Sequence, residues 1–298
     1  MTNKKSSGII QSMNKQFIAS STALIVLASM TPALAAPPSG IVATLDTPGT
    51  QKTLTLPPAA DHSPVISLGT ALDQTSGELV EGYAIIHYKD RSNGAKPEGG
   101  SAKGRKTQCY GYLSSGAKWK VLEPWVVNPS NSKGLLSDFV FNNLTSDIAK
   151  WEDAGDGVIG NGVRINILGD GSSTSAVLVA DTSSPDGVNE VYFADVSSSG
   201  AIAVTIVWGV FGGPTFQRKL VEWDQIYDDM DFDWSSAGEA SKMDFENIAT
   251  HELGHSVGMA DLYNSTCSEE TMYGYATNGE TKKRDLHQGD IEGINKLY

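Results

Sequence analysis

The stretch from His251 to Asp261 reads HELGHSVGMAD, and it constrains this chain more than any other part of it. On an α-helix, two histidines four positions apart leave the same face one turn from each other. Glu252 is rotated by about 100° from His251, which keeps its carboxylate off the histidine line yet beside it. A glycine at 258 can take a left-handed conformation, end the helix and send the chain back beneath it. Asp261, six residues after His255, then becomes the nearest further donor.

That arrangement has a chemical meaning. Two neutral imidazoles and one carboxylate can grip a single Zn2+, which lowers the pKa of a bound water, while a neighbouring glutamate takes the proton. His251, His255 and Asp261 are therefore the expected metal ligands and Glu252 the expected general base. A chain with 5 histidines contains H-E-x-x-H by chance only about 0.004 times, so histidines of purely structural use are set aside. The remaining histidines, His62, His87 and His287, stand at no comparable spacing and are expected at the surface or in packing.

The rest of the 298 residues divides by composition. Residues 1–35 carry Lys4, Lys5 and Lys15, an apolar run from Phe17 to Met30, and the small-residue triplet Ala33, Leu34, Ala35. This is the pattern of a signal peptide cut after Ala35, so the chain is expected to be secreted, with no stable membrane anchor afterwards. The net charge of −13 deepens once those lysines are lost, and such a body repels polyphosphate, which argues against nucleic acid as a partner. In an oxidising compartment a lone pair of cysteines, Cys109 and Cys267, is expected to be joined.

Residues 36–106 are rich in Pro, Gly, Ser and Thr. They read as an N-terminal segment or propeptide, with a flexible linker over 90–106 that has no large apolar residue. Their one clear strand is Leu79 to Tyr88. Residues 107–298 read as one α/β (α+β) domain. Leu135 to Trp151 is spaced as a helix, and Met243 to Gly258 as a second one with Ser241 and Asp244 as a capping box. Trp119 to Val127, Val163 to Leu168, Val177 to Ala180, Glu190 to Phe193 and Ala201 to Trp208 are expected as strands.

HELGHSVGMAD resembles the zinc signature of the metzincin metalloendopeptidases, H-E-x-x-H-x-x-G-x-x-H/D, with Asp261 last as in the snapalysin-like members. The later TMYG, with Met272, resembles the family's methionine turn. DIEGINKLY at 290–298 and VEWDQIYDDMDFDW at 221–234 are similar to segments of matrixin catalytic domains. The resemblance implies a zincin-like fold: a twisted, mostly parallel sheet with an antiparallel edge strand, an active-site helix and a C-terminal helix. It implies Zn2+ on His251, His255 and Asp261, with Gly258 and Met272 in structural roles, and polypeptide substrates. Substrate is expected to lie extended along Ala201 to Trp208 as one more strand.

The function expected from all this is that of a secreted zinc endopeptidase. A non-peptide zinc hydrolase would share every residue named, and a silent zinc-binding module would be expected to lose Glu252 first. An aspartate in place of a third histidine makes the metal a weaker Lewis acid, so the expected optimum is neutral or mildly alkaline. Cys109 lacks the flanking residues of the matrixin cysteine switch, which favours the disulfide. The run Asp228, Asp229, Asp231, Asp233 has calcium-loop spacing but Trp234 where the glycine belongs, so Ca2+ is the weaker reading and one wet strand face the simpler one. Tyr273 and Tyr275 are expected as core or surface tyrosines.

Overall fold

A computed structural model describes residues 53–56, 63–89 and 108–298. The expected signal peptide, His62 and the linker 90–106 lie outside these residues. The strands are β1 (Thr53–Leu54), β2 (Val65–Leu72), β3 (Leu79–Lys89), β4 (Trp125–Asn128), β5 (Gly171–Ser173), β6 (Asn189–Val196), β7 (Ala201–Val210), β8 (Lys219–Asp228), β9 (Trp234–Ser235), β10 (Met243–Asp244) and β11 (Tyr275–Ala276). The helices are α1 (Ser137–Asp153), α2 (Phe245–Ser256) and α3 (Gln288–Leu297).

The main sheet runs β11-β3-β7-β8-β6-β4-β5, with β2 beside β3 and β1 beside β6. Strands β8, β6, β4 and β5 are parallel to one another, and the antiparallel pairs are β7 with β8, β3 with β7 and β2 with β3. Side chains alternate across this sheet as a strand's two-residue period requires. Val191, Phe193, Val207 and Tyr227 face α1 and α2, while Tyr192, Ala194, Ile206 and Ile226 face a second core capped by Leu54, Leu56, Leu178 and Ala180. With both faces covered, β6 and β7 are buried almost throughout.

Several expected elements change character. Val163 to Leu168 alternates but forms no strand, because its backbone donors go elsewhere: Ile165 to the Glu152 carbonyl, Ile167 and Leu168 to the Glu152 carboxylate. Val177 to Ala180 likewise buries Leu178 and Ala180 without a ladder, since the Ala180 N–H donates to the Tyr192 hydroxyl and that of Asp181 to Asp224. Of Trp119 to Val127 only the end enters the sheet, and Trp119 instead donates its indole N–H to the Ser256 carbonyl at 2.7 Å. Asp228 and Asp229 are buried loop anchors, accepting backbone N–H groups from Val196, Met230, Asp231 and Ser132.

One further expectation needs correction, because β1, β2 and β3 of the N-terminal segment pair with β6, β3 and β7. Ala201–Trp208 is no edge, since β3 lies along it.

Candidate active site

Helix α2 begins at Asp244, which caps it by accepting the Asn247 N–H at 3.1 Å; Ser241 takes no part in that cap. Arg284 holds the same carboxylate from outside, at 2.6 and 2.7 Å. Against α2 lies α1, joined to it where the Trp151 indole N–H donates 2.9 Å to the Thr250 carbonyl. The helix stops where expected. Gly258 has φ +102°, and a Cβ there would fall 2.9 Å from the Ala117 carbonyl oxygen, so the turn requires glycine.

Beyond that turn Asp261 comes back to the two histidines. Its Oδ1 lies 3.1 Å from His251 Nε2 and 3.4 Å from His255 Nε2. None of these three buried atoms has a hydrogen-bond partner of acceptable geometry. Orphaned buried polar atoms are costly, so three converging on one point call for something to bind them. A tetrahedral zinc with bonds of about 2.0–2.1 Å separates its ligands by about 3.3 Å, which matches the observed spacing.

Each donor is also held from behind. His251 Nδ1 donates to the Thr271 carbonyl at 2.7 Å and His255 Nδ1 to the Met259 carbonyl at 3.0 Å, so each Nε2 keeps its lone pair for a ligand. The Tyr263 hydroxyl donates to Asp261 Oδ2 at 2.8 Å, leaving Oδ1 to face the histidines. Burial lowers His251 to about 4, which favours the neutral ring that ligation needs. Burial also acts on Asp261, but the two imidazoles outweigh it and hold that carboxyl well below its usual range.

Met272 packs directly under α2; a Cβ on Gly254 would fall 2.1 Å from its sulfur. Its turn is pinned by Asp290 of α3, which accepts the Thr271, Met272 and His287 N–H groups at 2.7, 3.2 and 3.0 Å. The Cys109–Cys267 disulfide closes the same region, tying the chain ahead of β4 to the loop before Met272.

Glu252 is fully buried and both its oxygens are engaged, Oε2 by the Thr205 hydroxyl at 2.5 Å and Oε1 by His87 at 3.0 Å. Burial pushes its carboxyl up to about 7 against the pull of His255 and Thr205. His87 is therefore no surface or packing histidine: it sits inside the site, its ring 3.9 Å from that of His251. Its Nε2 lies 3.2 Å from the ammonium of Lys283, which can only donate, so Nδ1 carries the proton that goes to Glu252. Lys283 is itself fully buried and also donates to the Tyr273 and Tyr275 carbonyls at 2.5 and 2.7 Å. His287, by contrast, only starts α3 and touches the Lys282 carbonyl.

His87, Thr205, Tyr263 and Lys283 were not found from sequence as site residues. Only Tyr263, two positions after Asp261, carried a local signal. Among the described residues, the sets of three or more closely spaced metal-type donors are His251/His255/Asp261, His87/His251/Glu252 and Asp181/Asp186/Glu222. The run 228–233 forms no such set, and Ca2+ has no support there.

Residues 209–298 match the peptidase M10 family, matrixin. Over 70 residues the chain is 41% identical to human matrilysin, covering 24% of this chain and 25% of that protein. It is 42% identical over 76 residues to stromelysin-1 of Equus caballus, covering 25% of this chain and 15% of that protein. With metalloendoproteinase 2-MMP of Arabidopsis thaliana it shares 35% identity over 77 residues, 24% of this chain and 19% of the relative. The chain thus spans a quarter or less of the length of these relatives. The matched region contains β8, α2, the Met272 turn and α3, and with them His251, Glu252, His255 and Asp261, while His87 and Thr205 lie outside it. The chain carries a matrixin-like metzincin domain.

Proposed function

We propose that this chain is a secreted zinc-dependent endopeptidase. The observation that carries the reading is the convergence of His251 Nε2, His255 Nε2 and Asp261 Oδ1, each buried and without a hydrogen bond, beside the Glu252 carboxylate. These three side chains would hold the zinc. Bound there, the ion supplies Lewis acidity to the scissile carbonyl and to the attacking water.

The protein's own groups do the rest. Glu252 would take the proton from the water and pass it to the leaving amine. Thr205 holds one Glu252 oxygen in place, while Met272 and Asp290 fix the floor under α2. The substrate is an extended polypeptide. The plant relative is named a metalloendoproteinase, in keeping with peptide bonds as the target. Export rests on the pattern of residues 1–35, and no helix among the described residues is long and apolar enough to cross a membrane.

The test is degradation of a denatured-protein mixture by the purified chain, both intact and cut within residues 90–106, with and without a zinc chelator. The expected result is cleavage that stops on chelation and returns on adding zinc. Absence of cleavage by either form, with one zinc bound per chain, would sink the reading.

A further inference from the structure

The face of the sheet turned away from α2 is mostly apolar, packed by Tyr192, Ala194, Ile206 and Ile226. At one end of β6 and β8 it changes character. The two-residue period that turns Tyr192 and Ile226 to this face also turns Glu190, Glu222 and Asp224 to it. Glu190 lies opposite Asp224 in the ladder, and Glu222 stands two residues before Asp224 on β8. The segment that follows Ala180 brings Asp181 and Asp186 to the same place, where Glu222 turns its carboxylate to both.

Backbone donors account for some of these oxygens. Both Asp224 oxygens are used, accepting the Asp181 N–H at 2.8 Å and the Glu190 N–H at 3.1 Å. Asp186 Oδ1 accepts the Val188 N–H at 2.8 Å, and Glu222 Oε2 accepts that of Gly187. Others are left over. Glu222 Oε1, Glu190 Oε2 and Asp181 Oδ2 are buried without a hydrogen bond, and Glu222 and Glu190 are only 1% and 7% exposed. Among the described residues, the ion pairs of lysine, arginine and histidine all go to other acids, and Lys219, at the start of β8, pairs with Glu78.

Burying an orphaned carboxylate is costly, and like charges beside it add to the cost. Burial and the neighbouring carboxylates hold Glu190, Glu222 and Asp224 above the usual carboxylate range. A cation offsets both penalties. One ligand atom from each of Asp181, Asp186 and Glu222 lies within 4.8 Å of the others, a spacing that a cation with oxygen bonds of about 2.3–2.6 Å can bridge. The donors are carboxylate oxygens alone, with no nitrogen or sulfur, which selects a hard ion of the calcium class over zinc.

We propose that Asp181, Asp186 and Glu222, supported by the free oxygen of Glu190, form a second metal site that takes a calcium-class divalent cation and staples residues 181–187 to β6 and β8. It lies on the opposite face of the sheet from His251, His255 and Asp261. It is also separate from the run 228–233, where backbone N–H groups occupy the buried carboxylates.

Trp208 supplies a reporter, because its indole N–H donates to the Asp181 carbonyl at 2.7 Å. The full chain, passed over chelating resin and reloaded with one equivalent of zinc, is titrated with calcium and separately with terbium, whose emission tryptophan sensitises. The expected result is one calcium per chain beyond the zinc, terbium emission excited through tryptophan that added calcium removes, and a Tm raised by about 5–10 °C when calcium stands about a hundredfold above its Kd. Glu222→Gln keeps the size of the side chain and an acceptor for Gly187. It should weaken calcium binding at least about tenfold and remove the terbium signal, with zinc content unchanged and the calcium-free Tm level or higher, since one like charge is gone. Should Glu222→Gln fail to fold, Asp186→Asn, at an exposed position, takes its place with the same expected loss. No calcium beyond the zinc overturns the site. Calcium affinity and a Tm rise that are equal in the unaltered chain and the variant put the ion elsewhere and overturn it too.

Discussion

Helix α2 and strand β3 both bring buried polar side chains to Glu252, and they do so over very different distances along the chain. The groups of α2 are held by near neighbours: His255 by Met259, four residues on, and His251 by Thr271, twenty residues on. Asp261 is held by Tyr263, two residues on. His87 meets Glu252 across 165 residues and Lys283 across 196. The metal-type site is therefore assembled by one helix and the loop that returns under it, whereas the His87 contact depends on the pairing of a remote strand. A site of the first kind survives wherever that short segment folds, and one of the second kind exists only while the sheet holds its edge.

The sharpest way to test the local side of this contrast is Glu252→Gln. This substitution should lower turnover by about 10³-fold, within the range for loss of general acid–base catalysis, while zinc content by metal analysis stays unchanged. Zinc lost together with turnover would mean that Glu252 is a ligand and that α2 does not divide its labour as described. Next in size is Tyr263→Phe, which removes the hydroxyl behind Asp261. It should weaken zinc affinity by about tenfold, measured by competition with a chelator, because outer partners of metal ligands typically matter at the 10 to 100-fold level. Unchanged affinity would show that Asp261 is oriented by the backbone alone.

The smallest expected effect concerns the far side. While β3 is in place, burial lowers the Lys283 ammonium to about 8. In a chain cut within 90–106 and freed of β3, Lys283 loses the acceptor supplied by His87 but keeps two carbonyls. A substrate residue with an acidic or acceptor side chain at that position should then be preferred several-fold, and Lys283→Met should abolish the preference in a peptide-library assay. A preference indifferent to that substitution would detach Lys283 from specificity.

How much of this was legible beforehand follows the same division. The i, i+4 histidines, the glutamate between them, the left-handed Gly258 and the return to Asp261 all lie within eleven residues, so helical geometry alone arranges them. The alternation of Val163 to Leu168 and of Val177 to Ala180 was genuine; in the second, Leu178 and Ala180 face the core and Val177 and Val179 face outward. What alternation does not carry is the identity of the hydrogen-bond partner. Glu152, Tyr192 and Asp224 supplied it from side chains, and no strand formed. The cap of α2 followed a similar course: Asp244 was available locally, and the contact with Arg284 decided its orientation.

The N-terminal segment shows the limit most clearly. Leu79 to Tyr88 was readable as a strand from its own apolar and β-branched residues, and His87 within it was readable only as one more histidine. Composition set that segment apart from the domain, because a Gly, Ser and Lys-rich stretch follows it. Pairing with β7 put it back.

By itself, the sequence determined a helix that presents two imidazoles and a carboxylate, the break that brings back an aspartate, and a pair of cysteines with only each other to bond. These depend on bond geometry and helical period over a dozen residues or on simple pairing. The tertiary structure alone decided that β7 is covered, that His87 rests on Glu252 and that Lys283 is buried behind it. Backbone ladders between strands impose no composition on the residues they join, so which remote segment fills an open edge is settled by the packing of the whole sheet.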